Sequence, residues 1–234
     1  MSAKKVLHIN NIEAPAYTKR EAYNSFRTNL QFCGKDIKVI AFTSCLPFEG
    51  KSTVVFELAR SVAEDGRSVV VIDADMRKSV MVGRYKMDTE GEIKGVTHYL
   101  SGQAELEDVL YSTDIKGLDM IVAGHMTPNP TELLGGQLFH DMVKKAREAY
   151  DLVLIDTPPL GSVIDTAVAA PDCDGIILVI ESRSTNFKIA REVQRQAEMT
   201  GCKIIGAVLN KVEVEGAGYG YYKGYYKKYY GKEK

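Results

Sequence analysis

No apolar run in the chain approaches 18 residues, and its start carries no hydrophobic leader. A membrane-spanning helix and a secretory signal are therefore not expected. It also has no C-x-x-C pair. Cys33, Cys45, Cys173 and Cys202 are scattered, with no histidine nearby at metal spacing. That pattern argues against a disulfide framework or a structural metal and for reduced thiols in the cytosol. Neither charge sign is in excess: 30 Lys and Arg stand against 31 Asp and Glu. A body so balanced has no global pull toward nucleic acid or anionic lipid. Internal repeats are lacking too. What is present, 234 residues of which 45% are apolar, suffices for one sizeable core.

The charge that exists is local. Residues 219–230 read YGYYKGYYKKYY, and seven of the thirteen tyrosines lie there: Tyr219, Tyr221, Tyr222, Tyr225, Tyr226, Tyr229 and Tyr230. The segment has neither helical nor strand periodicity and no aliphatic residue, so it cannot be core. From Tyr219 onward there are five lysines and one glutamate, a net +4. Phenols crowded on a basic tail serve either as stacking surfaces or as hydroxyls for chemistry.

Upstream, residues 1–17 read as an irregular arm. Thr18 and Glu21 fit a capping box that would open a helix near 19–33, with Tyr23, Phe26, Leu30 and Cys33 on one stripe. Six short apolar runs then follow: Val39–Phe42, Val69–Ile72, Leu118–Val122, Leu152–Ile155, Gly175–Ile180 and Ile204–Leu209. Helical patterns at Thr53–Glu64, Gln137–Ala149 and Asn186–Thr200 separate them. The alternation predicts an α/β fold, a mostly parallel sheet of the phosphate-loop NTPase type flanked by helices on both faces. The predicted division is an arm (1–17), a kinase-sized domain (18–214) and a tail (215–234).

Residues 44–53, SCLPFEGKST, follow the first of those strands and open a long helix. In that context Gly50-Lys51-Ser52 marks a phosphate loop. Backbone N–H groups from Glu49 to Thr53 would cradle phosphates, Lys51 would reach the β/γ oxygens, and the Ser52 hydroxyl would ligate Mg²⁺. Cys45 stands at the usual first glycine, and Phe48 where close backbone approach favours glycine. Read alone, Gly50 could merely end a turn and Lys51 could be a solvated first-turn lysine. Two further strand ends carry carboxylates: Asp73 and Asp75 after Val69–Ile72, and Asp156 after Leu152–Ile155. Ligands of open parallel sheets sit beyond the carboxyl ends of the strands. Asp156 is thus expected to hold Mg²⁺ through water, and the Asp73/Asp75 pair to help hold it and accept a proton. Any one of these aspartates could instead cap the next helix.

These motifs, in order, resemble those of bacterial tyrosine kinases of the capsular and exopolysaccharide biosynthesis type. The resemblance spans nearly the whole chain. It includes Glu21-Ala-Tyr-x-x-x-Arg27-Thr-Asn, Pro47-x-Glu49-Gly50-Lys51-Ser52-Thr53 and Asp73-x-Asp75-x-Arg77-Lys78. Pro128-Asn129-Pro130-x-Glu132-Leu133-Leu134, Asp156-Thr157-Pro158-Pro159, Val208-Leu-Asn-Lys211 and the tyrosine cluster complete it. It implies an ATP- and Mg²⁺-dependent, non-specific protein-tyrosine kinase that phosphorylates its own seven tail tyrosines and regulates polysaccharide synthesis. Asp73 would be the base, Asp75 and Asp156 metal carboxylates, and Asn210 a neighbour of the adenine. The implied partners are a transmembrane activator recruiting the chain to the inner face of the cell membrane and a dedicated phosphatase. Sugar-nucleotide or polysaccharide enzymes would be substrates, and a homo-oligomeric ring would form through Glu21 and Arg27; nucleic acid is not expected. The family's ring motif has a second arginine where this chain has Asn24, which cannot form a charged fork.

Two rival readings stand beside it. One is a partitioning or cell-division-positioning ATPase, whose loop lysine is replaced here by Leu46. The other is a tail that binds nucleic acid or a lipid surface by stacking. Smaller expectations follow. Cys45 is a tolerated small residue. His98 and His125 lie at the surface or at caps. Arg77 and Lys78 touch phosphate or a partner, or are solvated. The basic tail is drawn to an acidic, phosphate-bearing cleft. A phenol with a pKa of about 10 needs a carboxylate to take its proton during transfer.

Overall fold

A computed structural model describes residues 5–34 and 36–213. The chain opens with strand β1 (Val6–Ile9), helix α1 (Tyr17–Phe32), β2 (Val39–Ser44), α2 (Lys51–Glu64) and β3 (Val69–Asp73). Short elements follow: α3 (Met81–Arg84), β4 (Met87–Asp88), α4 (Val96–Leu100), α5 (Leu106–Val109), β5 (Tyr111–Thr113), β6 (Leu118–Ile121) and α6 (Pro130–Leu134). The last third runs α7 (Gln137–Ala149), β7 (Leu152–Asp156), α8 (Asp165–Ala169), β8 (Gly175–Glu181), α9 (Phe187–Glu198) and β9 (Ile204–Asn210).

The strands form one sheet in the order β4-β1-β5-β6-β3-β7-β2-β8-β9. The six from β6 to β9 are mutually parallel, as the six apolar runs predicted. Alternate side chains feed two cores. Ile40, Val69, Val71, Leu152 and Leu154 pack with α2, while Val39, Val70, Ile72, Val153 and Ile155 pack with Phe139, Met142 and Val143 of α7. A strand buried on both faces has no polar side to show, which explains its unbroken apolar sequence. Each such aliphatic chain contributes about 1.5–3 kcal/mol by leaving water.

The far edge departs from expectation. Residues 1–17 do not form an irregular arm throughout, because Val6–Ile9 is a sheet strand with Leu7 fully buried. It pairs antiparallel with β4 and parallel with β5, and β5 runs antiparallel to β6. The capping box is absent as well. Helix α1 starts at Tyr17 after Ala16, with no side-chain cap, and the Glu21 carboxylate instead accepts from Asn24 Nδ2 at 3.1 Å. No residue of α1 is fully buried. Tyr23, Phe26 and Leu30 nonetheless pack against the core as their spacing predicted.

Candidate functional site

Register brings the site together. On neighbouring strands β3 and β7, Asp73 and Asp156 are direct partners, and Phe42 of β2 lines up with Asp156 from the other side. The carboxyl ends of β2, β3 and β7 therefore open at one edge, where the loop after β2 turns into α2. Gly50 precedes α2 at φ 87, a left-handed conformation only glycine takes freely. A Cβ there would also lie 2.2 Å from Asn210 Nδ2.

The loop is tied down by residues the sequence put in other roles. Glu49 is buried and its carboxylate faces inward. Oε2 accepts from the Leu46 N–H at 2.7 Å, and Oε1 from the Glu181 N–H at 3.1 Å and from the Thr185 hydroxyl. Its side chain is thus a staple of the loop, and only its backbone is free to face a phosphate. Asn210, expected beside adenine, donates to the Glu49 carbonyl at 2.8 Å. Lys211 Nζ donates to the Phe48 carbonyl at 2.8 Å and pairs with Glu181 at 3.1 Å. Both also line the cleft.

Beneath the loop, Lys51 is not a solvated lysine. Its Nζ donates to Asp156 Oδ1, lies 3.8 Å from Asp75 Oδ2 and reaches Ser52 Oγ at 3.4 Å. Asp73 is fully buried behind this pair. Its Oδ1 accepts from the Asp75 N–H at 3.2 Å and its Oδ2 from the Ser79 hydroxyl. Burial, and then the negative charge of Asp156, push the Asp73 carboxyl well above the usual carboxylate range. Burial also raises Asp156, opposed by the charge of Lys51. Asp75 lines the open cleft, whereas Asp73 and Asp156 do not.

Asp156 Oδ2 is buried with no hydrogen-bond partner. An orphaned carboxylate oxygen beside a serine hydroxyl is what a hard cation would satisfy. Among the described residues, though, no three carboxylates or other ligands close into a protein cage. That suits Mg²⁺, which is usually held by one or two carboxylates together with waters and substrate phosphates. The residues fit the ion.

Above them lies a cleft of about 570 Å³. Its walls carry Lys51, Arg77, Lys78, Arg84 and Lys211 against Asp75, the carboxylate of Glu49 being turned inward. The cleft expected to be acidic is lined mostly by cations, because Asp73 and Asp156 are sealed below its floor; three of those cations, Lys51, Arg77 and Lys211, are paired with carboxylates. Arg77 is not a freely solvated charge. Its Nε and Nη2 grip the fully buried Asp165 at 2.7 and 2.9 Å, and Nη2 also reaches Thr131 Oγ1 at 3.2 Å. This tie joins the Asp73–Asp75 loop to α6 and α8. Arg84 donates to the Thr53 hydroxyl at the head of α2. Ser79, Asp165, Thr131 and Arg84 escaped the sequence reading, since no local pattern marks them. Only the Arg77 motif hinted that a partner existed.

Away from the cleft, Cys45 is buried, and burial with the Glu49 charge pushes its thiol up to about 11. His98 is buried rather than at the surface, though it does act at a cap: Nδ1 accepts from the Gly95 N–H at 3.0 Å, and Nε2 lies 3.3 Å from His125 Nδ1. Arg27, expected at a subunit interface, is engaged within the chain. It donates to the Ser61 carbonyl at 2.6 Å and pairs with Asp65 at 3.1 Å. Glu21 is exposed. The seven tail tyrosines lie outside the described residues. Among those described, no helix is long and apolar enough to cross a membrane.

Comparison with known proteins bears on this geometry. A family model described as an AAA domain matches residues 37–194. A relative named tyrosine-protein kinase CpsD, from Streptococcus agalactiae, is 42% identical over 202 residues, covering 86% of this chain and 87% of its own length. The solved kinase domain of the Escherichia coli tyrosine kinase ETK superposes with a TM-score of 0.76 at 29% identity, covering 85% of this chain and 79% of that one. A septum site-determining protein from Pyrococcus horikoshii, solved with Mg-ADP, reaches a TM-score of 0.65 at 23% identity, covering 77% of this chain and 72% of its own. That last likeness is one of fold.

Proposed function

Because the chain belongs to the bacterial tyrosine-kinase family of capsular and exopolysaccharide biosynthesis and is an ATP-dependent protein-tyrosine kinase, we propose that its cleft phosphorylates the chain's own C-terminal tyrosines. The observation that carries the reading is the Lys51 ammonium held against Asp156 and near Asp75 at the foot of a phosphate loop. Nucleotide and Mg²⁺ use in general accords with this fold.

In the proposed reaction the amides from Glu49 to Thr53 and the start of α2 bind the phosphates. Lys51 leaves its carboxylates for the β/γ oxygens. Ser52, Asp75 and Asp156 would hold Mg²⁺ together with the phosphates, and the ion would supply charge neutralisation on the transferred group. The phenol oxygen forms its bond to the γ-phosphorus as the bond to the β-γ bridging oxygen breaks and ADP departs. Asp73, in its ionised form, takes the phenol proton through water, since it lies beneath the cleft floor. Asn210 stays on the loop backbone at the cleft wall, near the base. The absence of lysine at Leu46 weighs against the positioning-ATPase reading.

The test is incubation of the full chain with Mg²⁺ and ATP, with phosphotyrosine mapped by mass spectrometry. Phosphate is expected among Tyr219, Tyr221, Tyr222, Tyr225, Tyr226, Tyr229 and Tyr230, and none in Lys51→Met. Asp73→Asn and Asp75→Asn, compared across pH, separate the base from the metal carboxylate. The transmembrane activator, the cognate phosphatase and the polysaccharide-pathway substrates are part of the proposal and rest on the family resemblance. A ring built on Glu21 and Arg27 would have to recruit Arg27 away from Ser61 and Asp65. Sedimentation of the full chain, alone and with Arg27→Ala, tests it.

A further inference from the structure

We propose that Phe48 and Lys78 form the acceptor subsite of this cleft, an aromatic platform that takes the phenol ring of the incoming tyrosine. The proposal rests on the kinase reading above and adds the part that recognises tyrosine.

Phe48 is out of place as a structural residue. It sits at φ 69, in the left-handed region that favours glycine, and the residue is 72% exposed. Glycine would serve a phosphate loop without strain or an exposed ring. The surroundings impose the conformation: Lys211 holds the Phe48 carbonyl, and Asn210 holds the next one. Strain kept in place by such contacts is characteristic of functional positions.

The ring's neighbours indicate what it meets. Lys78 Nζ lies 4.9 Å from the ring centroid, and the Lys78 N–H donates to Asp75 Oδ1 at 3.0 Å. The pair thus spans the cleft mouth, joining the loop that carries Lys51 to the loop that carries Asp75. Val80, Pro159 and Val163 line the same cleft. An apolar wall edged by an ammonium suits a phenol. The ring packs on Phe48 at ordinary aromatic-pair distances, and Lys78 neighbours the hydroxyl and, after transfer, its phosphate. Serine and threonine have no ring to offer, so the platform selects tyrosine.

The test measures initial rates of the full-length protein on a synthetic peptide with the sequence of residues 217–230, together with nucleotide affinity by a fluorescent ADP. Phe48→Gly relieves the backbone and removes the ring; Phe48→Leu keeps an apolar side chain at the strained position; Phe48→Tyr restores a ring. Peptide KM is expected to rise about tenfold in the first two and return in the third, with any change in ADP affinity smaller than the change in KM. An active parent chain whose KM is unmoved in Phe48→Gly overturns the subsite alone. So does a loss confined to ADP affinity, which would make the ring a nucleotide contact. A parent chain that transfers no phosphate to any tyrosine overturns the kinase reading, and the subsite with it.

Discussion

Lys51 is buried against Asp156 and within 3.8 Å of Asp75 before any phosphate arrives. The same ammonium that would later bind the nucleotide thus compensates one sealed carboxylate, Asp156, and one at the cleft, Asp75, in its absence. Removing one partner of such a buried pair leaves charge uncompensated, at a cost of about 3–5 kcal/mol. Lys51→Met is therefore expected both to abolish phosphate transfer and to lower the midpoint of chemical unfolding. Added Mg²⁺·ATP should restore part of that midpoint if the carboxylates still accept the ion. A midpoint equal to the parent's would show that the pair does not hold the fold. Cys45 allows a second residue-scale prediction. Its thiol is pushed up to about 11 and is fully buried, so it stays protonated at pH 8, whereas Cys33 is exposed. Brief alkylation at pH 8, followed by peptide mapping, should label Cys33 and spare Cys45.

At the scale of elements, two ties hold helices that the sequence could not anchor. Asp165, fully buried at the head of α8, is gripped by Arg77 and by Thr131 of α6. Arg77 is partly exposed, so the pair is screened, and Asp165→Asn should cost about 1–3 kcal/mol in urea unfolding. The change should lower the transfer rate more than nucleotide affinity, because the Asp73–Asp75 loop loses its support. The second tie is at α4, where burial, and then the charge of His125, hold His98 below the ordinary histidine range; Glu92 opposes the shift and Lys94 adds to it. A folded-state value below the unfolded one means that the unfolded chain takes the proton first as pH falls. His98 therefore contributes stability above pH about 6.5 that is lost as pH falls below it. His98→Asn keeps an acceptor for the Gly95 N–H and does not titrate. Its melting temperature should fall less than the parent's between pH 7.5 and 5.5; an equal fall would clear His98 of the effect.

Charge distribution matters at the scale of the whole molecule. The tail sequence carries a net +4, and the cleft is lined by five cationic residues, of which Lys51, Arg77 and Lys211 are paired with carboxylates. Attraction must therefore come from the nucleotide, whose phosphates reverse the local sign. The peptide of residues 217–230 should bind at least about fivefold tighter with Mg²⁺ and a non-hydrolysable ATP analogue than without, and lose the gain at high salt. Equal affinity with and without nucleotide would sink ordered binding. Each phosphotyrosine adds about −1.5 to −2 charges, so three would cancel the tail's excess. Light scattering should then show fully phosphorylated protein in smaller assemblies than unphosphorylated protein; unchanged mass would count against that.

The six parallel strands, the phosphate loop and the three strand-end aspartates were all legible in the sequence. Each is a local signal: an apolar run buried on both faces, a Gly-Lys-Ser at a strand-to-helix turn, a carboxylate at a strand end. Strands β1, β4 and β5 at that end of the sheet were not legible, because runs of two to four residues carry no pattern. Nor were the inward turn of Glu49, the Asn210 contact with the loop, the Arg77–Asp165 tie and the basic cleft wall. These depend on residues as far as 88 to 161 positions apart meeting in space. Local propensity decides which strand a residue joins. Only the packing of the finished sheet decides which way its side chain points and whether its charge reaches the cleft or is sealed beneath it.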